Sequence, residues 1–221
     1  MIKFENTEVM NFEGAFRGMR NPLNSWDKAD SEFKCDDYDN CYSCQYSDVG
    51  CDPRGKVHLG ENDLNLAQRL IKAGADHRKF LRQIFVGVDI TAPLYWWKEF
   101  DTYKVAMVAN SCSTMHKIHS KPIELSDFSI DEELLSYFGD TLVECENLRK
   151  LYIETKDKKY WRALIQLLPS GYNQKRTVTL NYETLRNIYG SRRNHKLDEW
   201  SKGFMEWIDS LPYAEELIKF K

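Results

Sequence analysis

Hydrophobic and polar positions in the first part of the chain alternate between strand-like and helix-like spacing. Apolar residues within 2–9 indicate a first strand, and residues 12–19 indicate a short helix that stops before an Asn-Pro pair. Residues 60–74 repeat their apolar side chains at helical spacing. They predict a helix for which Asn62 or Asp63 would serve as the N-cap.

The middle of the chain contains a second strand signal followed by a helix signal. Residues 84–90 are rich in β-branched and aromatic side chains, which favour a strand. Pro93 suits the first turn of a helix that starts at about Leu94, because a proline there removes only an N–H group that would be unpaired anyway. Residues 105–109 form another apolar piece, and residues 110–120 are predicted to form a polar loop.

The last third of the chain is predicted to be mainly helical. Residues 131–168 carry apolar positions at helical spacing, residues 176–181 alternate as a strand does, and residues 182–188 suit a short helix. Residues 197–211 predict a final amphipathic helix. Long helices outnumber strands, so the sequence predicts an α+β fold.

Residues 22–57 show neither period and are polar, so we interpret them as a long loop inserted into a single domain of residues 1–221. The insertion contains Cys35, Cys41, Cys44 and Cys51. Four thiolates at short spacing suit a structural zinc site. Only one pair has the C-x2-C spacing, so a variable loop with free thiols is the alternative.

Composition narrows the range of partners. The 221 residues have a formal net charge of −3, which gives no overall basic field for nucleic-acid binding. No apolar run approaches the roughly 20 residues needed to cross a bilayer. The first ten residues do not form the apolar core of a secretion signal. We therefore expect a cytoplasmic protein that binds neither nucleic acid nor membranes.

Three segments together resemble the flavin-dependent thymidylate synthases, the ThyX family. The first is residues 77–93, HRKFLRQIFVGVDITAP, and the second is the stretch after Pro93, where the family has its R-H-R-x7-S signature. The third is a progression near the C-terminus formed by Leu168, Pro169, Thr179, Leu180, Asn181, Leu185, Arg192 and His195. The resemblance covers roughly residues 75–120 and 165–205.

The resemblance implies a ThyX-like domain with a central mixed or antiparallel sheet flanked by long helices. It also implies a homotetrameric flavoprotein that binds FAD and performs the reductive methylation of dUMP to dTMP. In that family methylenetetrahydrofolate supplies the carbon and NADPH supplies the electrons. Modification of a different nucleotide on the same frame is an alternative.

This chain departs from the family at the signature itself. With residues 92–93 as the anchor, the R-H-R triplet falls on residues 102–104, Thr-Tyr-Lys, and the serine falls on Cys112. A following arginine of the family falls on Thr114. Lysine supplies charge without the two-pronged hydrogen bonding of arginine. Other cations could act from shifted positions: Lys98, Lys117, Arg192, Arg193 and Lys196.

The resemblance assigns candidate roles to individual residues. Lys104 and Cys112 are the catalytic candidates, and His116, four residues after Cys112, could activate its thiol, with an inert buried thiol as the alternative. The cofactor-binding candidates are His77, Lys79, Tyr103, Asn110, Asn181 and His195. The substrate-binding candidates are Lys98, Glu99, Arg192 and Lys196.

Each assignment has a structural alternative. The basic cluster of residues 192–196 could be a solvated turn at the end of a helix, and His77 could be a surface histidine. Tyr95 and Glu99 share a helix face that could stack against a flavin or base, whereas Trp96 and Trp97 could simply fill a core. For the whole chain, the alternatives to an enzyme are a nucleotide sensor on the same scaffold and a structural protein with a zinc-stapled loop.

Overall fold

The structure of the protein, a computed structural model, describes residues 2–33, 57–103 and 105–221. The strands are β1 (Lys3–Met10), β2 (Phe85–Pro93), β3 (Val108–Ser111) and β4 (Asn173–Asn181). They form one antiparallel sheet in the order β1-β2-β4-β3. The α-helices are α1 (Phe12–Arg20), α2 (Glu61–Ala73), α3 (Leu94–Phe100), α4 (Thr114–Lys117), α5 (Leu135–Thr155), α6 (Lys158–Leu167), α7 (Tyr182–Arg192) and α8 (Met205–Asp209). The predicted α+β class is confirmed.

Short helical turns connect these elements. The 3-10 turns span Asn21–Leu23, Trp26–Lys28, Lys79–Gln83, Leu125–Asp127 and Glu132–Leu134. Two π-helical turns, Glu199–Phe204 and Ala214–Ile218, flank α8. In the part of the chain that the structure describes, no helix is both long enough and apolar enough to cross a membrane.

The described residues divide into two compact units. Unit 1 comprises residues 2–5, 89–103 and 109–178, and unit 2 comprises residues 6–33, 57–88, 105–108 and 179–221. The single domain that the sequence suggests stays a prediction. The predicted zinc ligands lie outside the described residues, so the zinc hypothesis also stays a prediction.

Unit 1 has a small core between its helices and an aromatic cluster on α3. Ile118, Cys145 and Leu164 are buried together where α5 packs against α6. On α3, Trp96, Trp97 and Phe100 are at most 1% exposed, and their ring centroids lie 4.8–5.3 Å apart. The two tryptophans therefore fill a core, as the structural alternative predicted.

Unit 2 is built on a larger aromatic core. Phe16 packs edge-to-face on Phe80 with ring centroids 5.6 Å apart, and Phe12 does so on Tyr182 at 5.5 Å. These contacts join α1 to the 3-10 turn Lys79–Gln83 and to α7. Such pairs add about 0.5–1.5 kcal/mol each beyond the area they bury.

A buried ion pair ties α1 to α2 in unit 2. Arg20 Nε donates to Asp63 Oδ1 at 2.6 Å, and the two side chains are only 4% and 2% exposed. The other Asp63 oxygen accepts from the backbone N–H groups of Asp30 and Ser31. Just beyond, Glu32 and His58 exchange two backbone hydrogen bonds of 2.8 Å. The described residues on either side of the four clustered cysteines are therefore held side by side.

Two local predictions about helix starts were wrong. The N-cap of α2 is Gly60, not Asn62 or Asp63, because the Asp63 carboxylate is used by Arg20. The carboxylate of Asp30 instead accepts from the first amides of α2, at 2.8 and 3.0 Å. Pro93 is likewise the N-cap of α3, since strand β2 runs through to it, and not a first-turn residue.

Two predicted segments also differ in kind. Residues 110–120 are not one loop, because β3 extends to Ser111 and α4 follows, with the Ser113 hydroxyl accepting from the His116 backbone N–H at 3.1 Å. The final amphipathic helix is divided into a π turn and α8. The remaining helices and strands are confirmed within a few residues.

Candidate functional site

A cavity of about 570 Å³ lies in unit 1, within the size range of small-molecule sites. Its walls come from the segment that follows β3, from residues 126–128 and from the start of β4. The cationic lining residues are Lys3, Lys117, Lys121 and Lys175. Among the described lining residues, Asp127 supplies the only carboxylate. Lys121 pairs with Asp127, and Lys175 pairs with Glu5 and Asp89. The positive charge that suits an anionic ligand therefore comes from Lys3 and Lys117.

Cys112 lies on the wall of this cavity, immediately after β3. Its thiol is free and exposed, so the expectation that it is buried is wrong, and its reactivity stays a prediction. Its backbone N–H donates to the Lys175 carbonyl at 2.9 Å, which continues the pairing of β3 with β4. His116 is exposed on α4 and does not line the cavity, so its proposed pairing with Cys112 stays a prediction.

A chain of polar contacts fixes the Cys112 segment. Gln174 Nε2 donates to the Cys112 carbonyl at 2.9 Å and to the Thr114 hydroxyl at 3.1 Å. The amide oxygen of Gln174 accepts from Arg176 Nε at 2.9 Å, and Arg176 in turn pairs with Asp101 at 2.7 Å. Because each partner is held by the next, the thiol sits on a preorganised wall.

Arg176 is also held by an aromatic ring. Its guanidinium lies 4.1 Å from the centroid of Trp97, whose indole N–H donates to the Gln174 carbonyl at 2.9 Å. The buried aromatic cluster of α3 therefore supports the cavity wall in two ways, through the Arg176 side chain and through the direct hydrogen bond from Trp97 to Gln174. Sequence reasoning missed both Gln174 and Arg176, because their partners are 60 to 77 residues away in the chain.

Three titratable side chains, those of Lys121, Asp127 and Tyr172, also line the unit 1 cavity. Lys121 Nζ is hydrogen-bonded to Asp127, which raises the lysine pKa above its ordinary value. Burial raises the pKa of the Tyr172 phenol, and the Asp127 charge adds to the effect. Lys121 therefore stays a cation and Tyr172 a neutral proton donor throughout the physiological pH range.

The other predicted residues of unit 1 lie on α3 and the strand after it. Lys98 is exposed and Glu99 half-buried on α3, Tyr103 is half-buried just after it, and Asn110 is exposed on β3. None of the four lines the cavity around Cys112. Lys104 lies outside the described residues.

Unit 2 holds a second group of predicted residues around Trp200. The Arg192 guanidinium lies 5.1 Å from the centroid of the Trp200 ring, and the His195 ring lies edge-on to it at 6.4 Å. His195 Nδ1 accepts from the Leu197 backbone N–H at 3.2 Å, which leaves the proton of a neutral imidazole on Nε2. Lys196 is exposed beside them.

The remaining predicted residues of unit 2 differ in their access to solvent. His77 and Lys79 are exposed at the start of the 3-10 turn Lys79–Gln83. Asn181 is 1% exposed, and its side-chain oxygen accepts from the Thr184 N–H at 2.9 Å as the N-cap of α7. Asn181 therefore positions α7. Among the residues that the structure describes, no cluster of three or more His, Cys, Asp or Glu side chains could hold a metal ion.

Comparisons with known proteins identify structures of the same fold but no relative that is recognisable by sequence. No protein-family model matches the chain, and no curated protein matches it. Its structure is similar to the crystal structure of thymidylate synthase X (ThyX) from Helicobacter pylori with FAD and dUMP, with a TM-score of 0.68 and 15% sequence identity, over 99% of this chain and 96% of that one. The chain has the ThyX fold.

A second solved structure agrees. The crystal structure of flavin-dependent thymidylate synthase ThyX from Helicobacter pylori complexed with FAD and dUMP matches with a TM-score of 0.67 and 16% identity. The match covers 99% of this chain and 97% of that one. The likeness extends over the full length of both chains, so the predicted ThyX-like fold is confirmed at the level of architecture.

Proposed function

We propose that this protein binds FAD and a pyrimidine nucleotide, and that it catalyses the flavin-dependent reductive methylation of dUMP to dTMP. The observation that carries the proposal is the full-length structural likeness to two ThyX structures that contain FAD and dUMP. Methylenetetrahydrofolate and NADPH are the proposed carbon donor and reductant. A homotetramer is the proposed assembly.

The unit 1 cavity supports a nucleotide monophosphate as the anionic ligand. Lys117 lines the cavity and can act as a point charge toward a phosphate dianion, and Lys3 adds a second positive charge. Phe128 and Tyr172 pack edge-to-face with centroids 5.5 Å apart and provide an aromatic surface for a base. This arrangement replaces guanidinium forks with ammonium charges, consistent with a signature that has lost its arginines.

Residues of unit 2 fit a flavin dinucleotide by charge. Lys79 and Arg192 offer cations for its pyrophosphate, and His77 and His195 offer imidazoles that can bond to its polar edges. When bound, FAD supplies the redox chemistry, and the protein supplies binding and orientation. Asn181 contributes by holding the start of α7.

We assign catalytic roles to Cys112 and Lys104, which stand at positions of the family signature. The free thiol of Cys112 is accessible from the cavity, so its thiolate can act as a nucleophile toward an electrophilic ring carbon. Tyr172 can donate a proton within the same cavity, because burial keeps its phenol protonated. Lys98 and Glu99 do not line this cavity, so their contact with the substrate stays a prediction, as do the cofactor contacts of Tyr103 and Asn110.

A nucleotide-binding protein without turnover is the second candidate. One observation favours it: at the first signature position the Thr102 hydroxyl donates to the Glu99 carbonyl of its own chain at 2.7 Å. A side chain engaged in this way cannot grip a phosphate as an arginine would. Such a protein would retain the unit 1 cavity and sense the nucleotide that binds there.

The test begins with the visible absorbance spectrum of purified protein, with and without added FAD, followed by dUMP titration in a thermal-shift assay. Flavin bands that shift on binding, stabilisation by dUMP and mass-spectrometric detection of dTMP are the expected results. Lys117→Gln should weaken dUMP stabilisation, whereas the matched variant Lys159→Gln, an exposed lysine on α6, should not.

The outcomes separate the candidates. Stabilisation by dUMP without flavin binding or dTMP formation would contradict the enzyme hypothesis and support the nucleotide sensor. A colourless protein that ignores both FAD and dUMP would sink both proposals and leave only the fold.

A further inference from the structure

A second, smaller cavity lies in unit 2, and Arg193 is the one residue of its described lining that the sequence suggests as a shifted cation for the nucleotide or flavin. Its volume is about 270 Å³. It is bordered by the last turns of α7, by Arg78 and by the segment that follows the π turn Ala214–Ile218. The cationic lining residues are Arg78, Arg186, Arg193, Lys219 and Lys221, and no described lining residue is acidic.

Two of these cations are neutralised by carboxylates outside the cavity lining. Arg78 Nε lies 2.9 and 3.1 Å from the two carboxylate oxygens of Glu183. Lys219 Nζ pairs with Asp209 at 2.9 Å and with Glu215. The charges of Arg78 and Lys219 are therefore balanced within the fold. The excess charge of the cavity comes from Arg186, Arg193 and Lys221.

Arg186 carries a positive charge that its contacts stabilise but do not cancel. Its Nη1 donates to the carbonyls of Ile218, at 3.0 Å, and Phe220, which are neutral acceptors. Burial holds the Arg186 pKa below its ordinary value, and the charge of Arg78 lowers it further, while Glu183 opposes the shift. An anion in the cavity would relieve this repulsion.

Tyr189 holds the other cations in place. Arg193 and Lys219 both lie near the face of its ring, 5.6 and 5.8 Å from the centroid. A cation-π contact orients a cation without removing its charge. Arg186 and Gly190 are four residues apart on α7, and Arg193, three residues further, is the C-cap residue in helical conformation, so the three share one face of the helix.

We propose that this cavity is a binding site for a phosphate group, carried by inorganic phosphate or by a small phosphorylated molecule. Arg186 and Arg193 provide two guanidinium groups, the side chains best matched in geometry to phosphate oxygens. The aromatic rings of Tyr189 and Phe220 border the same cavity and can cover an organic substituent. The proposal does not depend on flavin or dUMP binding.

Gly190 provides a direct test because it lines the cavity and a Cβ atom there would meet nothing within 4 Å. Gly190→Asp places a carboxylate among the cations, and Gly190→Ala is its matched control. Arg193→Gln removes an exposed cation without disturbing the buried contacts of Arg186. Lys117→Gln removes a cation from the unit 1 cavity. A loss of phosphate binding in this variant would show that phosphate binds in unit 1 and not in the unit 2 cavity.

Isothermal titration calorimetry without FAD, using inorganic phosphate and phenyl phosphate, measures the affinities. We expect saturable binding that weakens about tenfold or more in Gly190→Asp and Arg193→Gln, the equivalent of one charge-assisted hydrogen bond, and stays within about twofold in Gly190→Ala. Tighter binding of phenyl phosphate would identify an organic phosphate as the ligand, and tighter binding of inorganic phosphate would identify the free ion.

Absence of saturable binding to either probe would overturn the proposal. The same holds if Arg193→Gln and Gly190→Asp bind as the unmodified protein does, or if Lys117→Gln removes the binding. Circular dichroism of each variant confirms that it is folded, and Arg193→Gln alone decides the result if Gly190→Asp does not fold.

Discussion

Units 1 and 2 use buried polar groups in different ways. In unit 2 the Arg20–Asp63 pair is almost completely buried and joins α1 to α2 in the unit that also contains the larger aromatic core. In unit 1 a less buried network, from the exposed Asp101 through Arg176 to Gln174, ends at the wall of a cavity that contains an exposed thiol. The difference indicates that the Arg20–Asp63 pair contributes mainly to stability, whereas the Gln174–Arg176 network fixes the backbone beside Cys112.

The largest expected loss in the free energy of unfolding follows from breaking the buried Arg20–Asp63 pair of unit 2. Asp63→Asn leaves the Arg20 charge buried without its counterion, so we expect the free energy of unfolding to fall by about 3–5 kcal/mol. Urea denaturation followed by tryptophan fluorescence measures this change. Glu61→Gln, an exposed neighbour on α2, is the control and should cost less than about 0.5 kcal/mol. A similar loss in both variants would contradict the central role of the buried pair.

A smaller effect is expected for the ion pair on α5 of unit 1. Glu146 accepts two hydrogen bonds of 2.7 Å from Arg149, which lower the pKa of Glu146 to about 2. Glu146→Gln should reduce the free energy of unfolding by about 2 kcal/mol at neutral pH, the magnitude of a hydrogen bond to a charged group. Exposed Glu144→Gln is the matched control.

The pH dependence of this difference gives an independent check. Because the folded pKa of Glu146 lies below its ordinary value of 4.5, its contribution is fully present above that pH and is lost as the pH falls toward about 2. The stability gap between the unmodified protein and Glu146→Gln should therefore be constant above about pH 5 and shrink below it. A gap that stays unchanged down to pH 2 would exclude the carboxylate as its source.

The network of Asp101, Arg176 and Gln174 should contribute less to the free energy of unfolding than the two ion pairs do. Its main effect should be to hold the backbone of Cys112 in position. Arg176→Gln removes the contacts to Asp101, Gln174 and the Trp97 ring, and we expect a loss of about 1 kcal/mol in the free energy of unfolding. It should also change the rate at which a thiol reagent labels Cys112, measured by mass spectrometry of the peptide. Arg162→Gln, exposed on α6, should change neither quantity. An unaltered labelling rate in Arg176→Gln would show that the network does not influence the reactivity of the Cys112 thiol.

The smallest expected effect on stability is at Cys112 itself. The exposed Cys112→Ser should unfold within about 0.5 kcal/mol of the unmodified protein, while removing a rapidly labelled thiol. Cys145 should react only on unfolding, because burial raises its pKa to about 11 and shields its sulfur. Native-state labelling of both peptides tests the contrast, and equal rates at the two cysteines would contradict it.

Local periodicity predicted most elements of the fold because their burial follows the sequence spacing closely. In β2 the alternate residues Val86, Val88, Ile90 and Ala92 are buried, as a strand signal requires. The α2 cap was mispredicted for a non-local reason: Asp63 is a strong capping residue by type, but an arginine 43 positions earlier binds its carboxylate. Sequence spacing alone carries no information about such a partner.

The candidate site was less predictable than the fold. The resemblance pointed to Cys112, yet the lysines around it and the Gln174–Arg176 support come from distant parts of unit 1. The unit 2 cavity had a weak local signal, since Arg186 and Arg193 are seven residues apart on one helix. Arg78 and Lys219 join them only through tertiary packing.

The backbone bridge between Glu32 and His58 has a consequence for engineering. Residues 33 and 57 start and end a segment whose two anchor points are already adjacent, and the bonds that join those points involve no side chain. The entropic cost of closing a loop grows only slowly with its length, so linkers of different lengths can join these two points at similar cost. A variant in which a reporter domain or affinity tag replaces residues 34–56 tests whether the bridge, α1 and α2 form without the natural sequence there.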